Sequence, residues 1–521
     1  KDCTLLHGVT GSGKTEVYIT LIMEAIKRGE SVLYLLPEIA LTTQIIKRLQ
    51  RVFGDAVGVY HSKFNLNERV ELWNEMLSPA SKYKVILGAR SALFLPFKNL
   101  GLIIVDEEHE NTFKQFEPAP RYHGRDLALV LSKLHKAKVL LGSATPSVES
   151  YFNAKTEKYG LVELHKRYGG VKLPEVQCGD LKTDKKKKRM ISLFTELLKN
   201  NMDEALGKKE QIILFQNRRG FAPMLECFTC GHVQQCKRCD VSLTYHKHSD
   251  LLRCHYCGYV EKVSLTCSAC GSVDTDMKGF GTEKIEEEVK KNFPKARVAR
   301  MDLDTTRGKN SYQKLIAQFE DKEIDILVGT QMVSKGLDFN NVSLVGVLNA
   351  DQMLYYPDFR AFERAYQLMA QVSGRAGRKY KRGKVIIQSH NPHHSTIRDV
   401  MENDYLNMYN SEILNRRNFS YPPFYRLIYL TFRHKDRTIL DACCEEFASN
   451  LKMGIGSDRV LGPEYPGIAR INNLFNKKIM VKAEKSLSII HVKSQIKHMM
   501  TVFKKDSAFR SVRIIIDVDP Q

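Results

Sequence analysis

Near the start of the chain, Gly8, Val9, Thr10, Gly11, Ser12, Gly13, Lys14 and Thr15 fit the pattern G-x-x-x-x-G-K-[ST]. Such a loop surrounds phosphates with backbone N–H groups, aims a lysine ammonium at the outer ones and offers a hydroxyl to magnesium. Further on, "LIIVDEEHE" closes an apolar run with four carboxylates and a histidine. Asp106 at a strand end can hold magnesium through water, Glu107 can polarise the attacking water, and His109 can couple this chemistry to a neighbouring lobe. "LGSATPS" places the hydroxyls of Ser143 and Thr145 where a γ-phosphate is sensed, and "QVSGRAGR" carries Gln371, Arg375 and Arg378, read as part of a helix. Guanidinium groups reaching across a cleft stabilise charge on a transferring phosphoryl group. Each stretch alone is commonplace, since acidic loops and basic helices occur on most surfaces. Their order along one chain points to a single nucleotide-hydrolysing site.

Of twelve cysteines, eight stand in four CxxC pairs: Cys227 and Cys230, Cys236 and Cys239, Cys254 and Cys257, Cys267 and Cys270. Paired knuckles without a secretion signal favour zinc over disulfides, and all-sulfur ligation leaves no open catalytic position. Two structural Zn2+ sites follow, contributing about 10 kcal/mol or more each to an insert too small for its own core. Nested pairing is expected, with the first and last knuckles sharing one ion and the middle two the other. Sequential pairing stays open, and so does replacement of a thiolate by His232 or His255. Cys3, Cys178, Cys443 and Cys444 read as buried or incidental.

These residues need elements to hold them. The 521 residues suggest roughly three domains at ~150 residues each. The 43% apolar and 27% charged content is that of ordinary globular protein. No apolar run approaches the ~20 residues of a membrane span, so a soluble, intracellular protein is expected. Lys and Arg number 80 against 59 acidic residues, a formal charge of +21 that favours nucleic acid as partner. The "KKKKR" run from Lys185 to Arg189 reads as a solvated loop.

From Cys3 to Leu164, "CTLLH", "VLYLLP", "KVILGA", "LGLIIVDEE" and "KVLLGSATP" are continuously apolar strands separated by amphipathic helices, the signature of a parallel sheet covered on both faces. A second α/β series, "QIILFQN", "ARVARMD", "IDILVGT", "LVGVLNAD" and "KVIIQSH", has no phosphate loop of its own. Nucleotide is therefore expected between the two, with the cysteine-rich segment inserted in the second. After Ser411 a β-α-β-β-α-β order suits a small split α+β domain. The resulting division is lobe one at 1–165, lobe two at 166–410, the insert at 225–272 and the C-terminal domain at 411–521. Trp73 and the aromatic residues of helices such as "FERAY" are read as core.

With "GVTGSGKTEVY", "LLPEIALT", "GARSALFLPF", "VDEEHE", "RYHGRDLA", "GSATPS", "NRRGFAP", the four CxxC pairs and "QVSGRAGR" in this order, the chain resembles the PriA family of bacterial primosomal replication-restart helicases, within the second helicase superfamily. The resemblance implies an α/β fold of two RecA-like parallel-sheet lobes, a two-zinc insertion in the second and an α+β C-terminal domain. It implies ATP with Mg2+ at Gly8 to Thr15, hydrolysis by Asp106 and Glu107, and completion of the site by Arg375 and Arg378. Gly281, Thr282, Glu283 and Gly336 to Asp338 match further family segments. The implied activity is ATP-dependent 3'-to-5' DNA unwinding at stalled or branched forks during primosome assembly; a duplex translocase without strand separation is the alternative. Implied partners are single-stranded and forked DNA, single-stranded-DNA-binding protein and primosome or helicase-loader proteins, with a monomer in the bacterial cytoplasm at the nucleoid.

For DNA itself, polar side chains near strand ends suit phosphates, and "PEIALTTQ" and "GARSALF" supply Thr42, Gln44, Arg90 and Ser91. Between DEEH and SAT, "TFKQFEPAPRYHGRD" interleaves Phe113, Phe116, Tyr122 and His123 with Lys114, Arg121 and Arg125, a pattern for base stacking beside phosphate contacts. Family members carry upstream DNA-binding and winged-helix regions that this stretch does not show, so it reads as a helicase core with its C-terminal domain.

Overall fold

The computed structural model describes the chain except at 38–42, 62–64, 171, 218–224, 228–231, 240, 247–250, 265, 274, 277–281, 303–304, 307–310, 334–338, 340 and 378–381. Thr42, Cys230, Gly281, Gly336 to Asp338 and Arg378 lie outside the described residues.

Seven strands form the first sheet: β1 (Cys3–Gly8), β2 (Ser31–Leu35), β3 (Val57–Tyr60), β4 (Val85–Gly88), β5 (Leu100–Asp106), β6 (Lys138–Ser143) and β7 (Gly160–Leu164). All pairings are parallel, in the order β3-β4-β2-β5-β6-β1-β7. The continuous apolar runs explain the sandwiching, because alternate residues face opposite sides of a strand. Leu33, Leu35, Ile103 and Val105 enter one core while Val32, Tyr34, Leu102 and Ile104 enter the other.

The second lobe begins with β8 (Glu175–Asp180) and β9 (Gln211–Phe215). The insert follows with β10 (Glu226–Cys227), β11 (Thr244–His246), β12 (Leu251–Arg253), β13 (Val260–Lys262) and β14 (Thr275–Asp276). The lobe resumes with β15 (Val298–Met301), β16 (Ile326–Gly329), β17 (Val342–Val347) and β18 (Lys384–Ser389), giving a parallel sheet ordered β15-β16-β9-β17-β18-β8. In the two parallel sheets, the three strands not expected from sequence, β3, β7 and β8, all sit at sheet edges. An edge is covered less completely, so "GLVEL" and "EVQCGD" keep polar residues that break the apolar run.

The C-terminal domain is an antiparallel sheet of β19 (Tyr425–His434), β20 (Val460–Glu464), β21 (Arg470–Ile471), β22 (Leu474–Glu484) and β23 (Arg513–Val518). Helices Arg437–Ile455 and Ile489–Lys505 pack on it around Phe432, Phe447 and Phe503. Helix Tyr405–Asn418 leads into this domain from the second lobe. Among the described residues no helix is long and apolar enough to cross a membrane. Cys3, Cys443 and Cys444 are buried, and Cys178 is half-buried. Trp73 departs from expectation: on helix Leu66–Leu77 the inward face is Leu72 and Met76, which leaves the neighbouring indole 41% exposed.

The segment from Asn111 to His123, between β5 and helix Gly124–His135, is pinned rather than loose. Phe113 and Lys114 are each 1% exposed. Lys114 donates to the carbonyl of Val518 at 2.6 Å and pairs with Asp517 at 2.8 Å, which ties this segment to β23. His123 is buried beneath it; burial first, and the Arg125 charge second, push its pKa down to about 3. An unfolded histidine takes up its proton near pH ~6.5, so below that value the unfolded state binds more protons than the folded one. Stability therefore falls as pH drops from about 6.5 towards 3. His123→Leu should flatten this part of the acid limb in urea titrations run at stepped pH, and an unchanged slope would refute the assignment.

Candidate nucleotide site and metal centres

The phosphate loop joins β1 to helix Lys14–Lys27. Its path needs glycine at Gly11 (φ 80°) and Gly13 (φ 91°), left-handed conformations that strain a side chain. Lys14 Nζ donates to the Gly8 carbonyl at 2.7 Å, folding the ammonium back over the loop. Ser12 Oγ is buried and makes no hydrogen bond within the chain.

Asp106 ends β5, and β6 separates that strand from β1, so the carboxylate stands two strands from the loop. Tyr18 and Tyr34 donate to its two oxygens at 2.9 and 3.1 Å. Burial first, then the charge of Glu107, raises the Asp106 pKa to about 6. A divalent cation would offset that penalty, because a buried carboxylate without a positive partner disfavours its charged form. Glu107 adopts φ 51°, a left-handed conformation costing roughly 1–2 kcal/mol for a residue with a Cβ. One of its oxygens, Oε2, is buried without a hydrogen bond. Orphaned polar atoms at Ser12 and Glu107, with Thr145 Oγ1 equally unpaired, fit a polyphosphate with magnesium. Thr15 and Asp106 would hold the metal, and the loop amides with Lys14 the phosphates.

The third carboxylate of the DEEH stretch has a different part. Glu108 is 0% exposed and accepts from Ser147 N at 2.7 Å, Ser150 Oγ at 2.7 Å and Arg125 Nη1 at 3.0 Å. It fastens the SAT loop to the DEEH strand end. His109 Nδ1 lies 2.7 Å from Ser143 Oγ, and its Nε2 lies 2.7 Å from Gln371 Nε2. The histidine thus bridges β6 to helix Ala361–Ser373 of the second lobe.

That helix reaches the first lobe along one face. Glu363 accepts from Val148 N at 2.9 Å, Gln367 donates to the carbonyls of Thr145 and Pro146 at 3.3 Å each, and Gln371 meets His109. Spacing of four residues stacks them on a single helical stripe. Reading the aromatic residues of this helix as core does not single out Glu363 and Gln367, whose four-residue period with Gln371 is the signal that marks them. The helix ends at Ser373, so Arg375 sits in the turn that follows and not, as expected, in the helix. Gly374 and Gly377, the latter at φ 67°, break the helix here. Gly374 abuts the phosphate loop: a Cβ there would stand 2.8 Å from Thr10 Cγ2. Arg375 is buried and lies near enough to Tyr312 to bear on that phenol. Between the lobes, Tyr168 N donates to the Gly11 carbonyl at 2.9 Å, and within the second lobe Arg167 donates to that of Gly377 at 3.1 Å. Thr282 donates to Asp302 at 2.7 Å, and Glu283 pairs with Arg300 at 3.2 Å.

On the other side of His109 a cavity of about 510 Å³ opens between the lobes, lined by Arg90, Thr112, Phe116, Gln331 and Gln371 among others. Phe116 is half exposed there, and Arg90 donates to the Thr112 carbonyl at 2.6 Å. Ser91 is half-buried in the turn Arg90–Phe94. Tyr122 meets Phe94 edge-on at 5.2 Å, and Arg121 approaches Glu117 at 4.0 Å. Gln44 is bonded to Glu320 of the second lobe.

In the insert, Cys236, Cys239, Cys254 and Cys257 form one cluster and Cys227, Cys267 and Cys270 a second, the sulfurs of each lying within 4.8 Å of one another. The middle knuckles meet, and the outer ones meet. Cys236 and Cys257 sulfurs are 3.6 Å apart, and those of Cys227 and Cys270 3.7 Å. Four sulfurs about 2.3 Å from a common centre stand about 3.8 Å apart in a tetrahedron, so the spacing fits zinc. His255 bonds to the Tyr465 carbonyl and His232 to Gln234, and neither histidine is a member of either cluster. The inner cluster packs against Tyr421, Leu427 and Met480 of the C-terminal region, and the Tyr421 hydroxyl donates to the Cys239 carbonyl at 2.7 Å.

Family models match in four places: DEAD/DEAH box helicase at residues 1–153, PriA DNA helicase Cys-rich region domain at 236–262, helicase conserved C-terminal domain at 261–380 and primosomal protein N C-terminal domain at 417–521. The chain is 42% identical to the replication restart protein PriA of Bacillus subtilis over 99% of its own length and 63% of that protein's. It is 40% identical to the PriA of Chlamydia pneumoniae, covering 99% and 68%, and 37% identical to that of Rickettsia felis, covering 99% and 78%. The chain thus spans between 63% and 78% of the length of these relatives.

Cys236→Ser should lower bound zinc from two equivalents to one by atomic absorption while leaving the outer cluster loaded. Two full equivalents in that variant would refute the inner site.

Proposed function

The chain belongs to the PriA family of replication restart proteins, and from that membership we propose that it is an ATP-dependent DNA helicase acting 3' to 5' at stalled or branched forks. The observation that carries the proposal is the bridge Ser143–His109–Gln371, which joins the second lobe to the strand ends beside Asp106 and Glu107. A site completed only when two lobes meet links hydrolysis to their movement.

Bound ATP with Mg2+ supplies the phosphoanhydride and the divalent charge. The loop Gly8 to Thr15 holds the phosphates, with Lys14 turning from the Gly8 carbonyl to the outer ones. Asp106 is aimed by two tyrosine hydroxyls, and Glu107 accepts the proton of the attacking water. Arg375 and Arg378 bring positive charge to the transferring group as the turn at Gly374 moves against Thr10. Single-stranded DNA follows the cavity beside Phe116 and Arg90, with Gln44, Ser91, Arg121, Tyr122 and Thr42 as further contacts. Two Zn2+ ions stabilise the insert. We divide the chain at 165/166 and 410/411, with the insert at 225–272. Forked DNA, single-stranded-DNA-binding protein and the primosome or helicase-loader proteins are the partners, the protein acting as a monomer in the bacterial cytoplasm.

Lys14→Ala should abolish DNA-stimulated ATP hydrolysis, measured as phosphate release, and leave DNA affinity nearly unchanged; undiminished turnover would rule out the phosphate loop. Affinity for single strands should drop by orders of magnitude between low and moderate salt, as expected for a chain of charge +21. A salt-independent Kd would count against DNA as substrate.

A further inference from the structure

The loop from Ser143 to Val148 joins β6 to helix Val148–Lys155 and stands beside the residues proposed to hydrolyse ATP. Its polar backbone is held from three parts of the chain. The first lobe contributes Glu108, which accepts from Ser147 N. The second contributes Glu363 to Val148 N and Gln367 to the carbonyls of Thr145 and Pro146. Helix Tyr405–Asn418, which leads into the C-terminal domain, contributes the Tyr405 hydroxyl to the same Pro146 carbonyl at 3.0 Å.

Arg416 of that helix, 1% exposed, binds the other oxygen of Glu363 and also Glu149 at 3.1 Å. Arg360 of the second lobe joins the same two carboxylates. A buried carboxylate keeps its geometry only where its charge is matched, so Arg416 helps fix where Glu363 points.

We propose that Glu363 and Gln367 are positioning residues for hydrolysis, and that helix Tyr405–Asn418, which leads into the C-terminal domain, sets them through Arg416 and Tyr405. The proposal rests on the ATPase reading above and adds to it a route for control. Ser143 at the start of the loop holds His109 and accepts from Thr145 N at 2.9 Å. His109 in turn lies two residues from Glu107, so movement of helix Tyr405–Asn418 displaces the Pro146 carbonyl, then Ser143, then the DEEH strand end. The C-terminal domain also grips the segment after DEEH, through Lys114 and β23. Whatever the C-terminal domain binds is thereby felt at the ATP site.

The test uses the full 521-residue chain with single-stranded DNA and ATP. Tyr405→Phe removes one hydroxyl and Gln367→Ala removes the amide that meets it at Pro146. Each should lower kcat by about fivefold to tenfold with KM for ATP within about twofold, the size of effect that loss of a positioning hydrogen bond has on a rate. Because both act on one carbonyl, the double variant should be no slower than about the slower single one. Multiplication of the two effects, or an unchanged kcat in Tyr405→Phe, overturns the proposal. Should Gln367→Ala not fold, Tyr405→Phe alone decides. Lys14→Ala run in parallel separates the two levels: turnover surviving there sinks the ATPase reading, whereas a dead Lys14→Ala beside unaffected Tyr405→Phe sinks only the positioning role.

Discussion

How the two lobes meet at the candidate nucleotide site depends on one contact, the polar stripe of helix Ala361–Ser373 against the strand ends of the first lobe. Hydrogen bonds from Glu363, Gln367 and Gln371 there are buried, and buried polar groups are costly to leave unpaired. The stripe therefore fixes the register between the lobes more sharply than apolar packing would, since apolar surfaces slide at little cost and hydrogen bonds do not. Within that register Gly374 comes to Thr10, and the turn carrying Arg375 is set beside the phosphate loop. A single methyl at Gly374 would already collide.

The acidic run after β5 illustrates how neighbouring residues of one chemical type divide their work. Asp106, at the strand end, is oriented by Tyr18 and Tyr34 and faces the space where magnesium would sit. Glu107 is turned by a left-handed backbone, leaving an oxygen without a hydrogen bond, 3.8 Å from His109 Nδ1. Glu108 points into the core and is wholly consumed by Arg125 and the serines of the SAT loop. Charge alone does not separate these roles; burial and the direction imposed by the backbone do.

The cysteine-rich insert solves a problem of size. Its strands are two or three residues long and bury little apolar surface among themselves. Thiol clusters hold the knuckles, and the inner cluster gains a second support by packing on Tyr421 and Met480 of the C-terminal region. The insert therefore joins the second lobe to the C-terminal domain and does not hang free.

The phosphate loop, the acidic strand end, the central strands of both parallel sheets and the CxxC knuckles were legible in the sequence, because each depends on residue types at short, fixed spacing. Of the four edge strands of these sheets β15 was legible, whereas β3, β7 and β8 were not, because an incompletely buried edge strand does not write a continuous apolar run. The order of motifs pointed to a single candidate hydrolytic site and to the family the chain resembles. Which cysteines meet, which carboxylate is structural, that Trp73 lies partly in solvent, and that Glu363 and Gln367 touch the first lobe were decided by tertiary structure alone. Those are relations between residues separated by up to 222 positions, and local chemistry carries no record of which distant surface a side chain will meet.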